Sequence, residues 1–390
     1  MIYLDNNATT PIAPEVRETM LPWLGHDDGF GNPSSLCTNG KRARAAIDEA
    51  RSQVAKLVGA TREEIVFTSG GTESNNTAIH SALATQPGKN HIVASAVEHS
   101  AVLDFLRLLE RRGLATFTLV DVDVDGQLDL DAVSAAIRPE TALVSIMTAN
   151  NETGVVFPVD QIAKVVADKG VPFHTDAVNA AGKIAIDATA FPIHFLSLSG
   201  HKFHGIKGIG ILFVRSGLQF EPFLVGGGQE GGRRSGTESV PLIAGLGEAA
   251  RLAREFVDAD GSARLSALRD DLQSRLLESI DDLLITTSGA RLPNTLHLSV
   301  EGVRADELLL LLDDRGLCAS AGSACSTGQK EPSHVLTAMG IDAARARSSI
   351  RLSLSRYTTE EEIDRAATVM KKCIKRLRGL QFESSPGTQN

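Results

Sequence analysis

Lys202, in "SLSGHKFHG", stands just past an apolar run, Phe195 to Ser199, and Asp176 stands just past another, Val171 to His174. In open α/β sheets the residues beyond the carboxyl ends of strands line the ligand crevice. A third run, Ile65 to Thr68, is followed by "SGGTES", where Gly70 and Gly71 let backbone N–H groups approach an anion and Thr72 offers a hydroxyl at the mouth of a helix. An amine, a carboxylate and an anion cradle are what pyridoxal phosphate requires: a Schiff-base lysine, a partner for its pyridinium nitrogen and a phosphate seat. Taken singly, each has a plainer reading: Lys202 or Lys207 as a solvated surface charge, Asp176 as a helix cap, the glycine pair as an ordinary βα turn. Their joint occurrence after successive strands favours the cofactor. His99, directly after a strand ending near Val97, brings an aromatic ring that can lie over a flat ligand, although a lone histidine is more often structural.

A second chemical feature is Cys325 in "ASAGSACSTG". A packing cysteine belongs among bulky apolar neighbours, but this one is flanked by Ser323, Ala324, Ser326, Thr327 and Gly328, which suits a thiol that must travel. Cys37, Cys318 and Cys373 read as structural or incidental, Cys318 and Cys373 because they adjoin apolar helical patterns. Four scattered cysteines form neither a disulfide framework nor a Cys-x-x-Cys zinc site, and "HTD" and "HKFH" lack a third ligand at a metal-binding spacing.

The elements that must position these residues alternate. A helical stripe runs through Ala43, Ile47, Ala50, Val54 and Leu57 and stops at Gly59. Then follow strand Ile65 to Thr68, helix Glu73 to Ala84, strand Ile92 to Ala96, helix Ser100 to Glu110 and strand Thr116 to Val120, with further runs at Leu143 to Met147, Val171 to His174, Phe195 to Ser199 and Gly210 to Val214. This order predicts a large domain with a mostly parallel sheet covered on both faces. After a glycine-rich functional loop, "GGGQEGGRRSGTE", the texture changes to a helix through Leu265, Leu268, Leu272 and Leu276, a strand at Leu296 to Val300, a helix from Ala305 to Asp314 and a strand at Ile350, Leu352 and Leu354. Alternation on that last strand places Arg351 on the opposite, polar face beside Ser349 and Ser353. A capping box in "TTEEEID" opens a terminal helix to about Arg378. The predicted organisation is a large α/β domain over residues 12–254, a smaller α+β domain from 1–11 plus 255–378, and a flexible tail over 379–390.

Bulk properties narrow the partners. With 390 residues, 42% hydrophobic and 22% charged, the chain reads as ordinary globular protein, and a net charge of -9 leaves no footprint for nucleic acid or an anionic membrane. No apolar run is long enough to span a bilayer and no basic-then-apolar leader opens the chain, so a cytoplasmic, reducing location is expected.

In order along nearly the whole chain, "YLDNNATTP", "GNPSS", "EIVFTSGGTESNN", "VEHSAV", "NNETGVVFPV", "FHTDAV", "SLSGHKFHGIKGIG", "RRSGTE", "GSACSTG" and "SIRLSLSRYTTEEEI" resemble the pyridoxal-phosphate-dependent cysteine desulfurases of the NifS and IscS type. The resemblance implies the aspartate aminotransferase-like type I fold of the class V aminotransferase superfamily, and conversion of L-cysteine to L-alanine with the sulfur passed on as a persulfide. It implies that Lys202 carries the cofactor, Asp176 holds its pyridine nitrogen and His99 stacks on its ring. Gly71, Thr72, Ser199 and His201 would seat the phosphate, with Thr237 reaching the phosphate of a second subunit in a homodimer. Asn151 and Arg351 would clamp the substrate carboxylate, Cys325 would accept the sulfur, and His99 would manage protons. The acceptor would be an iron–sulfur scaffold or another sulfur-receiving protein. Two places depart from the family pattern. Asn179 stands where many relatives carry the longer glutamine that contacts the phenolic oxygen, and Gly228 and Gly231 stand where relatives often have His and Arg. Rival readings are an aminotransferase, which has no need of Cys325, a selenocysteine lyase, and a non-catalytic sulfur carrier, against which Lys202 and Asp176 speak.

Overall fold

The structure is a computed structural model that describes residues 1–25, 29–287, 289–321 and 332–384. A seven-stranded sheet forms its centre, in the order Ile65–Thr68, Gly210–Val214, Phe195–Ser199, Phe173–Asp176, Thr141–Ser145, His91–Ser95, Thr116–Val120. All neighbours run parallel except Gly210–Val214, which is antiparallel to both of its partners. Six of the seven strands carry no exposed residue, as expected where helices cover both faces, and this is why they read as continuous apolar runs. The helices Gly71–Ala84, Ser100–Arg111 and Val159–Asp168 lie among these crossovers.

Two strands are displaced by two residues from their sequence reading, Thr141–Ser145 against Leu143 to Met147 and Phe173–Asp176 against Val171 to His174. Val171 still closes the preceding helix, its N–H reaching the Val166 carbonyl, and Pro172 has no N–H to donate, so ladder pairing begins at Phe173. Asp176 is consequently the last residue of its strand, beside Ser197 of the next.

The reversal into Gly210–Val214 matters most for the site. Past Ser199 the chain makes a single 3-10 turn, Gly200–Lys202, and doubles back, with Gly200 donating to the Ile209 carbonyl and Gly205 to the Gly200 carbonyl. Gly210 has no room for a side chain, since a Cβ there would lie 2.5 Å from the Leu198 oxygen and 2.7 Å from the Gly70 Cα. The lysine turn and the Gly70–Gly71 turn are thereby pressed against each other.

A second core is built from Leu265, Leu268, Leu272 and Leu276 of helix Gly261–Ser279, from Leu296, Leu298, Ile350 and Leu352, and from Ile363, Met370 and Ile374 of the terminal helix. Its sheet is antiparallel, in the order Ser349–Ser353, Thr295–Val300, Leu283–Ile285. Ile2 and Leu4 belong to this core, and Ile2–Tyr3 pairs in parallel with Leu317–Cys318, a short strand just after helix Ala305–Asp314, where Cys318 Sγ lies 3.9 Å from Asp313 Oδ1. The polar face of Ser349–Ser353 is not a surface: Arg351 is 1% exposed and turned toward the large sheet. The short helix His334–Ala338 packs Val335 and Leu336 into the larger core. The terminal helix, Glu360–Ser384, runs past the expected stop at Arg378, so 379–384 are helical rather than tail, while 385–390 lie outside the described residues.

The glycine-rich loop is anchored on its inner side by the buried carboxylate of Glu230. Glu230, with φ +54, is buried and takes two hydrogen bonds from Arg51, at 2.6 and 2.8 Å, and one from the Phe67 N–H at 2.9 Å. Gly228 and Gly231, with φ of +75 and +66, supply the left-handed turns around it.

Phe173 is fully buried at the middle of the large sheet. Phe173→Ala is expected to lower unfolding free energy by about 3 kcal/mol or more through the cavity it leaves. Guanidinium unfolding followed by circular dichroism checks this, and a loss below about 1 kcal/mol would contradict the packing described.

Candidate active site

The carboxyl ends of Ile65–Thr68, Phe195–Ser199 and Phe173–Asp176 open on one side of the sheet and bring several predicted residues together. Asp176 is 7% exposed, and its carboxylate accepts from the Val178 N–H at 2.9 Å and from Asn75 Nδ2 at 2.6 Å. Asn75 comes from the first turns of helix Gly71–Ala84, below the glycine turn, and had no role in the sequence reading. Its spacing from Thr72 on one helix is the signal that marks it. The oxygens Asn75 Oδ1 and Asn179 Oδ1 are buried and have no partner.

Lys202 donates to the carbonyls of Asn7, at 2.7 Å, and Ala8, at 3.0 Å. His201 shares a hydrogen bond with Thr9 Oγ1 at 3.1 Å, and the Thr10 N–H donates to the His201 carbonyl. Burial and the Lys202 charge pull the His201 pKa down to about 4. Residues 5–10 thus run as a strip between the two cores. Asn7 Nδ2 reaches both Thr295 Oγ1, at 2.8 Å, and the Asn151 carbonyl, at 3.2 Å.

His99 caps helix Ser100–Arg111, its Nδ1 accepting from the Ala101 N–H at 3.1 Å. Burial lowers its pKa, opposed by Asp176 and reinforced by Lys202 and His334. The ring is therefore neutral with its proton on Nε2. Beneath it Glu98 is completely buried: Oε1 accepts from Ser95 Oγ at 2.6 Å and from the Met147 N–H at 2.9 Å, and Oε2 has no partner. Burial pushes its pKa up to about 8, with Asp176 adding to the rise.

Arg351 donates to the Asn151 carbonyl at 2.8 Å and to Asp5 Oδ1 at 2.7 Å, while its Nε is buried and unpartnered. An uncommitted guanidinium edge in a polar junction is suited to a carboxylate ligand. Asp5 and Glu152, both unassigned from the sequence, border this region. Glu152 accepts from Ser333 Oγ at 2.6 Å, and burial raises its pKa.

Not every expected residue converges. Gly71 lies against Val178 and Ser199, but Thr72 is exposed. Thr237 is exposed on the loop that Arg234 ties to Glu73 at 2.9 Å, and Glu73 also accepts from the Ser69 N–H. Cys325 lies outside the described residues. Among the described residues no group of three or more His, Cys, Asp or Glu is placed to hold a metal, and no helix is long and apolar enough to cross a membrane.

The pocket fits pyridoxal phosphate. Asp176 retains acceptor capacity for a ring N–H, Asn75, which donates to it, and Asn179 just past it each keep a buried amide oxygen without a partner, and Gly71, where a Cβ would lie 2.7 Å from Val178 Cγ2, leaves bare backbone at a helix N-terminus for an anion. A type I pyridoxal-phosphate enzyme is the class that this sheet and these groups define. Residues 2–366 match the family described as aminotransferase class-V, to which the chain belongs. More narrowly, the chain is 50% identical over 382 residues to a cysteine desulfurase of Trichormus azollae, covering 97% of this chain and 94% of that one. A solved NifS-like protein superposes with a TM-score of 0.89 at 36% identity, covering 96% and 99% of the two chains. A structure of SspA in complex with cysteine gives a TM-score of 0.80 at 37% identity, covering 92% and 100%.

Glu98 generates a pH prediction. A carboxyl whose pKa is higher folded than unfolded makes the folded state bind more protons, so stability falls as pH rises from the ordinary carboxylate range to about 8. Glu98→Gln is expected to remove that slope, gaining on the wild type between pH 5 and pH 8 by about 1 kcal/mol or more. Denaturant midpoints at the two pH values decide it, and parallel losses in both proteins would refute it.

Proposed function

We propose that this protein is a cysteine desulfurase that removes sulfur from L-cysteine, releases L-alanine and passes the sulfur onward from Cys325. The observation that carries the reading is the convergence of Lys202, Asp176 and the Gly70–Gly71 turn on one crevice with the buried Arg351. Bound pyridoxal phosphate supplies an electron sink that weakens the bonds at substrate Cα and Cβ. Asp176 would hold its ring nitrogen, His99 would cover its ring, and Gly71, Ser199, His201 and the exposed Thr72 would seat its phosphate. Asn179, with a buried oxygen that lacks a partner and one methylene fewer than the family's glutamine, would take the phenolic oxygen's side.

Arg351, aided by the Asn151 segment, takes the substrate carboxylate and fixes which Cα bond stands over the ring. Asp5, already on Arg351, shares the guanidinium and leaves its Nε edge for the substrate. Once Lys202 is freed, its amine carries the Cα proton, and the carbonyls of Asn7 and Ala8 give it a resting place. Cys325 attacks the substrate sulfur as a thiolate. The Sγ–S bond forms as Cβ–S breaks, the electron pair moves to Cβ, and protonation there, with return of the Cα proton from Lys202, completes alanine. His99, whose Nδ1 accepts from the Ala101 N–H, would handle protons through Nε2 at this stage.

The acceptor we assign is an iron–sulfur scaffold or another sulfur-receiving protein. A homodimer completes the site, Thr237 reaching the partner subunit's phosphate from its exposed position.

Cys325→Ala is expected to cut alanine release from cysteine by about a hundredfold while the visible cofactor band persists, whereas Lys202→Ala loses the band. Alanine production with Cys325→Ala at wild-type rates would remove Cys325 from the reaction, whereas amino-group transfer to a keto acid that survives Cys325→Ala would favour the aminotransferase reading. Arg351→Gln is expected to raise the KM for cysteine by tenfold or more with a smaller change in kcat, read from steady-state kinetics. Sedimentation of a fully active monomer would refute the shared site.

A further inference from the structure

The two edges of the large sheet are finished differently. At Ile65–Thr68 side chains occupy the outward backbone: the Ile65 carbonyl accepts from Arg51 at 2.7 Å and from Arg233 at 3.2 Å, and the Phe67 N–H donates to Glu230 at 2.9 Å. Thr116–Val120, the other edge, is bare. It pairs in parallel with His91–Ser95, the Thr116 N–H donating to the Asn90 carbonyl and the Val120 carbonyl accepting from the Ala96 N–H. Alternate residues of such a ladder turn both backbone groups the same way, so Thr116, Thr118 and Val120 face the sheet while Phe117 and Leu119 face outward. Those outward groups meet no partner among the described residues. The strand carries no lysine, proline or bulge, the usual guards of an open edge.

A hollow of about 500 Å3, within the range of ligand clefts, runs along this edge. Thr118 and Leu119, whose side chains point to opposite faces, both line it, together with Asp121, Asp123, Asp129 and, from helix Leu130–Ala136, Ala132. Leu114, just before the strand, and Val124, in the hairpin after it, are 58% and 72% exposed. Residues 113–137 include five aspartates and no lysine, arginine or histidine. Asp123 holds the hairpin by accepting from the Asp125 and Gln127 N–H groups, and Asp129 caps helix Leu130–Ala136, yet neither these nor Asp121 and Asp125 has a basic partner among the described residues.

We propose that the Thr116–Val120 edge is a docking site for an extended, basic segment of a partner protein, which adds to the sheet as an eighth strand. The outward N–H and C=O groups of Phe117 and Leu119 supply its main-chain hydrogen bonds, the hollow receives its inward side chains, and lysines or arginines on alternate residues meet the aspartate rim. Charge decides against a second copy of this chain as the occupant, because the same aspartates would be brought together. Thr141–Ser145 and His91–Ser95 separate this edge from Phe173–Asp176, so the segment docks away from the cofactor pocket.

The test uses the full-length holoenzyme and a capped, fluorescein-labelled peptide of alternating lysine and valine. Fluorescence anisotropy is expected to show saturable binding that weakens by about tenfold or more when every peptide nitrogen is methylated, a change that keeps the charges and removes the strand's donors. Asp121→Asn combined with Asp125→Asn is expected to weaken binding by about tenfold and to flatten its salt dependence, with alanine release from cysteine unchanged. Hydrogen exchange read residue by residue locates the peptide: the Phe117 and Leu119 amides slow when it is added, while those of Thr118 and Val120, already bonded within the sheet, keep their rates. Equal affinity for the methylated peptide overturns the proposal, since it marks charge attraction without strand pairing. So does a failure to bind, or protection confined to other segments. Protection of the same two amides on raising protein concentration without peptide makes a second copy the occupant and overturns it as well.

Discussion

The site depends on how residues 5–10 are held. This strip is neither helix nor strand, yet it fixes the distance between the two cores, because its backbone and side chains bond to both. Asn6 and Asn7 donate to Ser353 on the small sheet, Asn7 Nδ2 reaches Thr295 and Asn151, and Thr10 closes on His201. Buried amides of this kind tolerate little slack, since each unmade bond leaves a polar atom without water. Lys202 on the large sheet and Arg351 on the small one are therefore set relative to each other by a chain of short hydrogen bonds rather than by apolar packing, which is less directional.

Charge is arranged around that strip with few anions. Lys202 and Arg351 bring positive charge while burial keeps His201 neutral, and the carboxylates near them are Asp176 and Asp5, with Glu98 and Glu152 pushed toward their neutral forms by burial. Such a field suits a substrate and a cofactor that both bring negative charge. Glu152 also joins this region to Ser333, the residue from which helix His334–Ala338 starts, so the chain returning from the cysteine segment is fastened at the junction.

Much of this was legible in the sequence because buried parallel strands leave uninterrupted apolar runs, and the strands Ile65–Thr68, Thr116–Val120, Phe195–Ser199 and Gly210–Val214 were readable to the residue. The Phe173–Asp176 boundary slipped where a helix closure and Pro172 delayed pairing, features that hydropathy does not encode, while Thr141–Ser145 starts two residues before its expected position. Periodicity alone also does not reveal that Gly210–Val214 runs backwards. On the site, Lys202, Asp176 and the glycine turn stood out through type and position after strands. Asn75, Glu98 and Asp5 did not, because each acts through a long-range contact or through burial, and neither has a local signature. The polarity of Arg351's face was readable, whereas its enclosure depended on the opposing core.

The pairing of Ile2–Tyr3 with Leu317–Cys318, and of Asn6 with Ser353, joins the first residues synthesised to some of the last. On a ribosome the large sheet has all its strands by Val214, but the amino-terminal strip must wait for its partners until most of the chain has emerged. Contacts of such sequence separation close late and slowly. The nascent chain can thus own a finished scaffold while its lysine still lacks the surroundings described here, a built-in delay between architecture and reactivity.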